Sequence, residues 1–414
     1  MAEVIPFCAY RPERDKVHLV ASRSYISYKR KDLKLKLDEN PFTFLHIINP
    51  EHTLKTGTKV NSPDRFKLVK TRFDQFVSEG VFKQDEQSSY YIYRQIKNGH
   101  HYIGIIACAS VADYYADVIK KHEATITQRE KMFKNYLDFV AINAEPVCFT
   151  YPNNATIDEI TAQKMNHSPE YDFTTTNKVQ HTFWVINEPN LVERIQSAFA
   201  DIPAVYIADG HHRSASSALL GKEKRTNNDS QLPTDYFMGI FIPESNLKIY
   251  EFNRLVTSIG NYSKTTFISA IKEQFDVLSK GTKAYQPQQV HEIGMYIGSE
   301  WFCLIPKEGT YDHSNPVAEL DVSILSKNIL APILGIADLK TDQRVLFMSG
   351  TEGLERLQSE VDQKRAKVAF AHFPISIEQL KAVADAQQIM PPKSTWIEPK
   401  LRSGLTVYSI EKKD

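Results

Sequence analysis

The sequence predicts an α+β (mixed α/β) protein built on a mixed sheet, and three observations carry that expectation. Short apolar, β-rich runs alternate with helical stretches along the whole chain. An Asn98-Gly99 pair separates two of those runs, and Asn-Gly favours the positive φ angles of a tight hairpin. No long polar linker, low-complexity segment or internal repeat interrupts the pattern.

In chain order, the hairpin occupies about 89–111, with Tyr90, Tyr91, Ile92, Tyr93 and Ile96 on one run and Tyr102, Ile103, Ile105 and Ile106 on the other. A helix is expected over about 110–121, then a break at His122-Glu123. Thr127-x-x-Glu130 resembles a capping box that opens a second helix to about 139. Stretches 146–150, 182–186 and 204–208 read as strands. Stretch 191–200 reads as a helix, and another helix starts near 214. Stretches 236–242 and 247–252 suggest a second hairpin around 243–246. The last third alternates: helix 265–275, strands 293–297 and 301–304, helix 318–330, strand 344–348, helix 353–361, strand 368–372, helix 377–386, strand 404–408. Three consecutive regions are expected: an N-terminal α/β region 1–145, a core 146–260, and a C-terminal α/β region 261–414 carrying the loop at Met390.

Composition bounds the function classes. The chain has 414 residues, 42% hydrophobic and 24% charged, which is ordinary for a globular protein and speaks against disorder or a fibrous class. Fifty basic residues balance 50 acidic ones. A protein that coats nucleic acid usually has a basic excess, so no nucleic-acid partner is expected, although a local anion site remains open. Cys8, Cys108, Cys148 and Cys303 are widely spread without a CxxC pair, so neither a thiolate zinc site nor a dithiol redox motif is supported. The N-terminus lacks the basic-then-apolar pattern of a signal peptide, and no apolar stretch approaches the roughly 18 residues of a spanning helix. A cytoplasmic address with no membrane partner is expected.

The strongest local signal is Tyr206-Ile-Ala-Asp-Gly-His-His-Arg-Ser-Ala215. An apolar strand ends at Asp209, Gly210 permits a sharp turn, and a helix follows. Helix N-termini attract anions because unsatisfied N–H groups and the positive dipole end point outward. Arg213 adds a planar bidentate donor. His211 and His212 donate hydrogen bonds or shuttle protons, and Asp209 suits Mg²⁺ or a proton. The plainer alternative is that Asp209 caps the helix and the histidines fill its first turn. Adjacent histidines point in different directions, so zinc is disfavoured.

Lys120, Lys121, His122, Glu123 and Arg129 form a second charged constellation, otherwise readable as a solvated helix end. Met390-Pro-Pro-Lys-Ser-Thr395 with Pro399-Lys400 is a third: the prolines stiffen the loop, and Lys393, Ser394 and Thr395 suit phosphate oxygens. It lacks the glycines of a P-loop, and a polar turn is the alternative. Arg11, Arg14, Arg23, Lys29 and Arg30 surround Ser22-Arg-Ser-Tyr25, as solvated surface or as one wall of an anion pocket.

On Asp209-Gly-His-His-Arg213, His122-Glu-Ala-Thr125 and Met390-Pro-Pro-Lys-Ser-Thr395, the sequence resembles a large family long catalogued as a domain of unknown function. Asn40-Pro-x-x-Phe-Leu-His46, Glu145-Pro-Val147 and Leu334-Gly-Ile336 also fit it, and the resemblance runs from about Pro6 to Leu405. That family is similar to the ParB/sulfiredoxin superfamily, whose shared feature is a Gly-x-x-Arg turn holding phosphates. It includes kinases that convert free L-serine to O-phosphoserine, and the full-length members similar to this chain use inorganic pyrophosphate.

The resemblance implies a ParB/sulfiredoxin-like core in 146–260, pyrophosphate and L-serine as substrates, and Mg²⁺ as cofactor. It implies phosphate binding by Gly210, His211, His212 and Arg213, with Asp209 as proton acceptor or metal partner. The second block falls on His122 and Glu123, and Glu123 is the rival base. Lys393, Ser394, Thr395 and Lys400 join the phosphate set. Arg23 or Arg129 is the candidate partner for serine's carboxylate. Where many members carry Pro-Tyr-Asp, this chain reads Ser24-Tyr25-Ile26. Three rivals remain: a kinase of serine or another small hydroxyl compound using ATP or ADP, a ParB-like nucleotide- or DNA-binding module, and a sulfiredoxin-like reductase. The last needs a cysteine where His211 stands.

Overall fold

The aromatic and β-branched runs become strands, and the larger sheet collects nine: β1 (Val4–Ile5), β2 (Tyr90–Lys97), β3 (His100–Ser110), β4 (Ile119–Lys120), β5 (Val147–Tyr151), β6 (Tyr171–Thr174), β7 (Gln180–Ile186), β8 (Val205–Asp209) and β9 (Tyr236–Pro243). The computed structural model describes residues 1–54, 57–225 and 231–412. The strand order is β4-β8-β5-β9-β3-β2-β7-β6, with β1 paired to β3. The β4–β8 and β5–β9 pairs are parallel and the other neighbours antiparallel, so the sheet is mixed.

The expected hairpin forms. Lys97 pairs with His100, and Asn98 and Gly99 take φ of 52° and 76°, the geometry that matches strand twist. Period-two alternation then sorts β2 and β7 onto two faces. Tyr90, Ile92, Trp184 and Ile186 enter a core with Ile157 and Ile160 of helix 155–165, and Ile195 and Phe199 of helix 189–200. Tyr91, Tyr93, Gln95, His181 and Phe183 occupy the other face.

The chain falls into two units, neither continuous in sequence. One comprises Met1–Lys120, Thr125–Leu247 and Pro399–Asp414; the other comprises Lys121–Ala124 and Lys248–Glu398. The boundaries expected at 145 and 260 do not coincide with the passage at Leu247 and Lys248. The second unit holds an antiparallel sheet of β10 (Lys248–Val256), β11 (Phe275–Gly281), β12 (Ile293–Ile297), β13 (Glu300–Pro306), β14 (Val345–Ser349), β15 (Val368–His372) and β16 (Thr395–Glu398). Their order is β11-β13-β12-β15-β10-β14, and β16 also pairs with β10. Val256, Ile293, Met295, Leu304 and Phe370 pack with Phe267, Ile271, Ile324, Leu325 and Ile329 in its core.

Several local expectations are corrected. The helix expected over 110–121 stops after Val111–Tyr115, because Ile119–Lys120 pairs in parallel with β8. The helix Thr127–Val140 forms without the capping box: Ile126 is its N-cap, and no side chain caps it. The supposed hairpin around 243–246 joins two different sheets, since β9 pairs with β3 and β5 while β10 pairs with β14, β15 and β16. Helix 265–275 ends at Ile271, and Phe275 begins β11. Helix 318–330 narrows to Asp321–Leu325 followed by a π turn, Ser326–Leu330. The final strand shrinks to Tyr408–Ser409. Helices Arg30–Glu39, Pro63–Ser78 and Ala155–Met165 were not legible.

Gly239 limits how closely the centre of the larger sheet packs. A Cβ on Gly239 of β9 would lie 2.5 Å from the Phe149 ring of β5, which stacks on Phe241 with centroids 4.8 Å apart. Gly239→Val should destabilise the protein by about 1–3 kcal/mol through overpacking, measured as a lower denaturant midpoint. An unchanged midpoint would show that β5 shifts freely.

Candidate active site

The turn singled out in the sequence is the junction of β8 with the helix His211–Lys224, and two irregularities shape it. Residues 205–208 are buried and Asp209 emerges partly exposed. Between Ile207 and Asp209 the pairing with β5 shifts register, a bulge that re-aims the strand's last side chain. Gly210 then takes φ 105° and ψ 28° as the N-cap, a left-handed conformation that residues with a Cβ rarely adopt.

Gly210 also leaves room for the Arg213 side chain. A Cβ there would lie 3.0 Å from Nη2 and 3.1 Å from Nε of Arg213, so the guanidinium folds back over the glycine. Arg213 Nη1 donates to the Pro146 carbonyl at 2.5 Å, and Glu145 lies 3.9 Å away. The Glu145-Pro-Val segment thus orients the arginine. The first turn of the helix contains no acidic residue, so its N–H groups and dipole face Arg213 without a competing carboxylate from that turn.

The helix reaches this position because its inner face is small. Ser214, Ala215, Ser216, Ala218 and Gly221 are buried, and a Cβ on Gly221 would come within 2.4 Å of the Thr234 carbonyl. His211 is buried and His212 half-buried. Ser214 and Ser216 hydroxyls donate to the His211 and His212 carbonyls, tightening the turn.

Lys400 brings a further cation. Its Nζ lies 3.4 Å from Asp209 Oδ2, both side chains being partly exposed. Gln95 Nε2 donates to the Lys400 carbonyl at 3.2 Å and ties that segment to β2. Cys148 sits opposite Asp209 across the strands. Burial, and then the Asp209 charge, push its thiol up to about 12, so it stays protonated and inert at neutral pH.

Not every predicted residue belongs to this unit. Asp209, Gly210, His211, His212, Arg213, Arg129, Arg23 and Lys400 do; His122, Glu123, Lys393, Ser394 and Thr395 belong to the second unit. There the Met390 N–H donates to the His122 carbonyl at 2.9 Å, joining two of the sequence blocks. Ser394 is buried and its hydroxyl donates to the Pro391 carbonyl at 2.7 Å, while Thr395 opens β16. Lys393, with φ 56°, is the exposed member of the loop. Arg129 is exposed in the first turn of its helix.

Two residues escaped the sequence reading. Arg254 is fully buried on β10, donates from Nη2 to Pro392 O at 3.4 Å and from Nη1 to Phe252 O at 2.7 Å, and so supports the Met390–Thr395 loop. Burial pushes its guanidinium down to about 9. No local motif marks it. Arg402, the other, was detectable as Lys400-x-Arg402, a two-residue spacing that puts side chains on one face of an extended segment.

The Asp209 carboxylate fits one ligand position of a Mg²⁺ ion, which takes one or two carboxylates and completes its shell with water and phosphate oxygens.

Among solved structures, the chain is similar to a free serine kinase in complex with AMP, with 11% identity, 72% of this chain and 88% of that chain covered, and a TM-score of 0.35. SbnI with C-terminal truncation from Staphylococcus aureus gives 12% identity, coverage of 71% and 82%, and a TM-score of 0.37. A conserved hypothetical protein from Pyrococcus furiosus gives 11%, 74%, 94% and 0.34. No curated protein matches the sequence. The family described as "Protein of unknown function (DUF1015)" matches residues 4–323, most of the chain, and the protein belongs to that family.

Proposed function

We propose that this protein is a phosphotransferase that converts free L-serine to O-phosphoserine with inorganic pyrophosphate as donor. The observation that carries the reading is the Gly210 turn: a helix N-terminus with no acidic residue in its first turn, roofed by the Arg213 guanidinium and flanked by Lys400. Pyrophosphate concentrates several negative charges in a small volume, and this arrangement offers backbone donors, a planar fork and an ammonium to hold them. The resemblance of the three sequence blocks to the pyrophosphate-dependent serine kinases, relatives of the ParB/sulfiredoxin superfamily, supplies the substrate and the donor.

In the proposed reaction the serine hydroxyl oxygen attacks one phosphorus of pyrophosphate in line. The bond from that phosphorus to the bridging oxygen breaks, and inorganic phosphate leaves. Such transfer depends on positioning and charge stabilisation more than on covalent help. Arg213, His211 and His212 hold the donor, and Lys393 is the further cation implied by the loop resemblance. Asp209 or Glu123 accepts the hydroxyl proton. Mg²⁺, when bound by Asp209, neutralises phosphate charge. The inert thiol of Cys148 and the His211 at the cysteine position of reductases both speak against sulfur chemistry.

Pyrophosphate, ATP and ADP should be tested as donors against L-serine, threonine and homoserine, with the phosphorylated product detected by ³¹P NMR. O-phosphoserine from pyrophosphate is expected. Transfer from ATP or ADP alone would refute the donor, and transfer to another acceptor alone would refute the substrate. Arg213→Ala should lower turnover by about 100-fold or more and cost about 1 kcal/mol or less of stability; unfolding instead would make Arg213 structural. Asp209→Asn and Glu123→Gln separate the bases. The true base should lose about 10²–10⁴-fold in turnover, and the other far less; equal losses would contradict a single acceptor.

A further inference from the structure

We infer that Arg23 and Arg402 form a carboxylate-binding subsite in the first unit, which holds the α-carboxylate of the amino-acid substrate; the identity of that ligand rests on the serine-kinase reading above. An antiparallel bridge pairs Ser22 with Ser403 through reciprocal backbone bonds of 3.1 and 2.8 Å. The next residues along, Arg23 and Arg402, are therefore opposite one another. Like charges placed directly across such a pair destabilise it.

Arg402 is 7% exposed. Its Nη2 donates to Thr175 Oγ1 at 3.3 Å and Asn177 Oδ1 at 3.2 Å, both neutral. Among the described residues, no carboxylate makes an ion pair with Arg402 or with Arg23. Burial pushes the Arg402 guanidinium down, and Arg23 adds to that. The neighbouring His181 is held neutral, pushed down to about 3 by burial and then by Arg402, and its Nδ1 lies 2.7 Å from the Tyr93 hydroxyl.

Arg11 is the internal control. It lies over Tyr91 and Phe183 of the same sheet face, and it is paired twice with Asp85, at 2.8 and 2.7 Å, with Glu170 at 3.5 Å. Among the described residues the fold supplies acids to Arg11 and none to Arg402. A buried cation lacking a counter-ion is costly, and a bound carboxylate, which matches the guanidinium fork, removes the cost.

Placement connects the pair to the chemistry. Arg402 follows Lys400 by two residues, a backbone reach of at most about 7 Å, and Lys400 Nζ lies 3.4 Å from Asp209. One short segment therefore runs from the turn to the arginine pair. Arg23 is exposed, with its guanidinium 4.7 Å from the Tyr28 ring centroid, so the subsite is open to ligand. Of the two arginines the sequence nominates for the carboxylate, this favours Arg23 over Arg129.

The test compares wild type with Arg402→Gln, Arg402→Lys and Arg23→Gln, using L-serine and serinamide. Arg402→Gln and Arg23→Gln should each raise the KM for L-serine by about 10- to 100-fold, the loss of charge-assisted bonds, with the KM for pyrophosphate little changed. Arg402→Lys should recover part of that loss. Serinamide, which lacks the carboxylate, should be a poor substrate for every form. A rise confined to the pyrophosphate KM, or an unchanged serine KM, overturns the subsite. Because Arg23 is exposed, Arg23→Gln keeps the test valid if Arg402→Gln fails to fold. If wild type transfers no phosphoryl group to L-serine, the serine-kinase reading fails. Calorimetric titration with L-serine, L-alanine and serinamide then decides the subsite: carboxylate binding lost in Arg23→Gln upholds it, and no carboxylate binding by wild type overturns it.

Discussion

The geometry of the candidate site depends on Arg213 lying across Gly210. That contact is favoured by a residue without a Cβ, a positive φ at the helix N-cap, and a carbonyl to anchor the guanidinium, which Pro146 provides. The bulge before Asp209, the small inner face of the following helix and the Glu145–Val147 segment all serve this one geometry. An arginine placed against helix-terminal N–H groups repels them electrostatically, and a bound anion satisfies both.

The chain is neutral overall, yet its cations are unevenly compensated. Arg11, Arg65 and Arg365 have carboxylates close by. Arg213 has Glu145 only at 3.9 Å, and Arg402 meets only neutral partners among the described residues. Net charge says little about function here; the distribution of counter-ions says more. Arg254 shows the other use of an unpaired buried arginine: it satisfies two backbone carbonyls and braces a loop.

What the sequence made legible follows the range of the interactions. The hairpin at Asn98-Gly99 and the strand–glycine–helix turn at Asp209-Gly210 are set by neighbours in the chain, and both stand where expected. Residues 116–120 fit a helix by local pattern, but a partner strand at Val205 and Tyr206 claims Ile119 and Lys120. The run after Pro243 looked like the return of a hairpin because turn residues do not reveal which sheet a strand joins. Thr127 and Glu130 had capping-box spacing, but the helix begins at Thr127 itself. In the candidate site, the Gly210–Arg213 spacing was visible in the sequence. The approach of Lys400 to Asp209, and of Arg402 to Arg23, depends on the C-terminal segment returning to the first unit, which no local pattern encodes.

The most direct test of the anion cradle is binding without turnover. Calorimetric titration of pyrophosphate into wild type and Gly210→Ala, in the absence of serine, isolates it. A Cβ at that position meets the guanidinium and disfavours φ 105°, so wild type should bind and the variant should bind at least about tenfold more weakly, about 1.4 kcal/mol. Equal affinity in the two proteins, or no binding by wild type, would contradict the anion cradle.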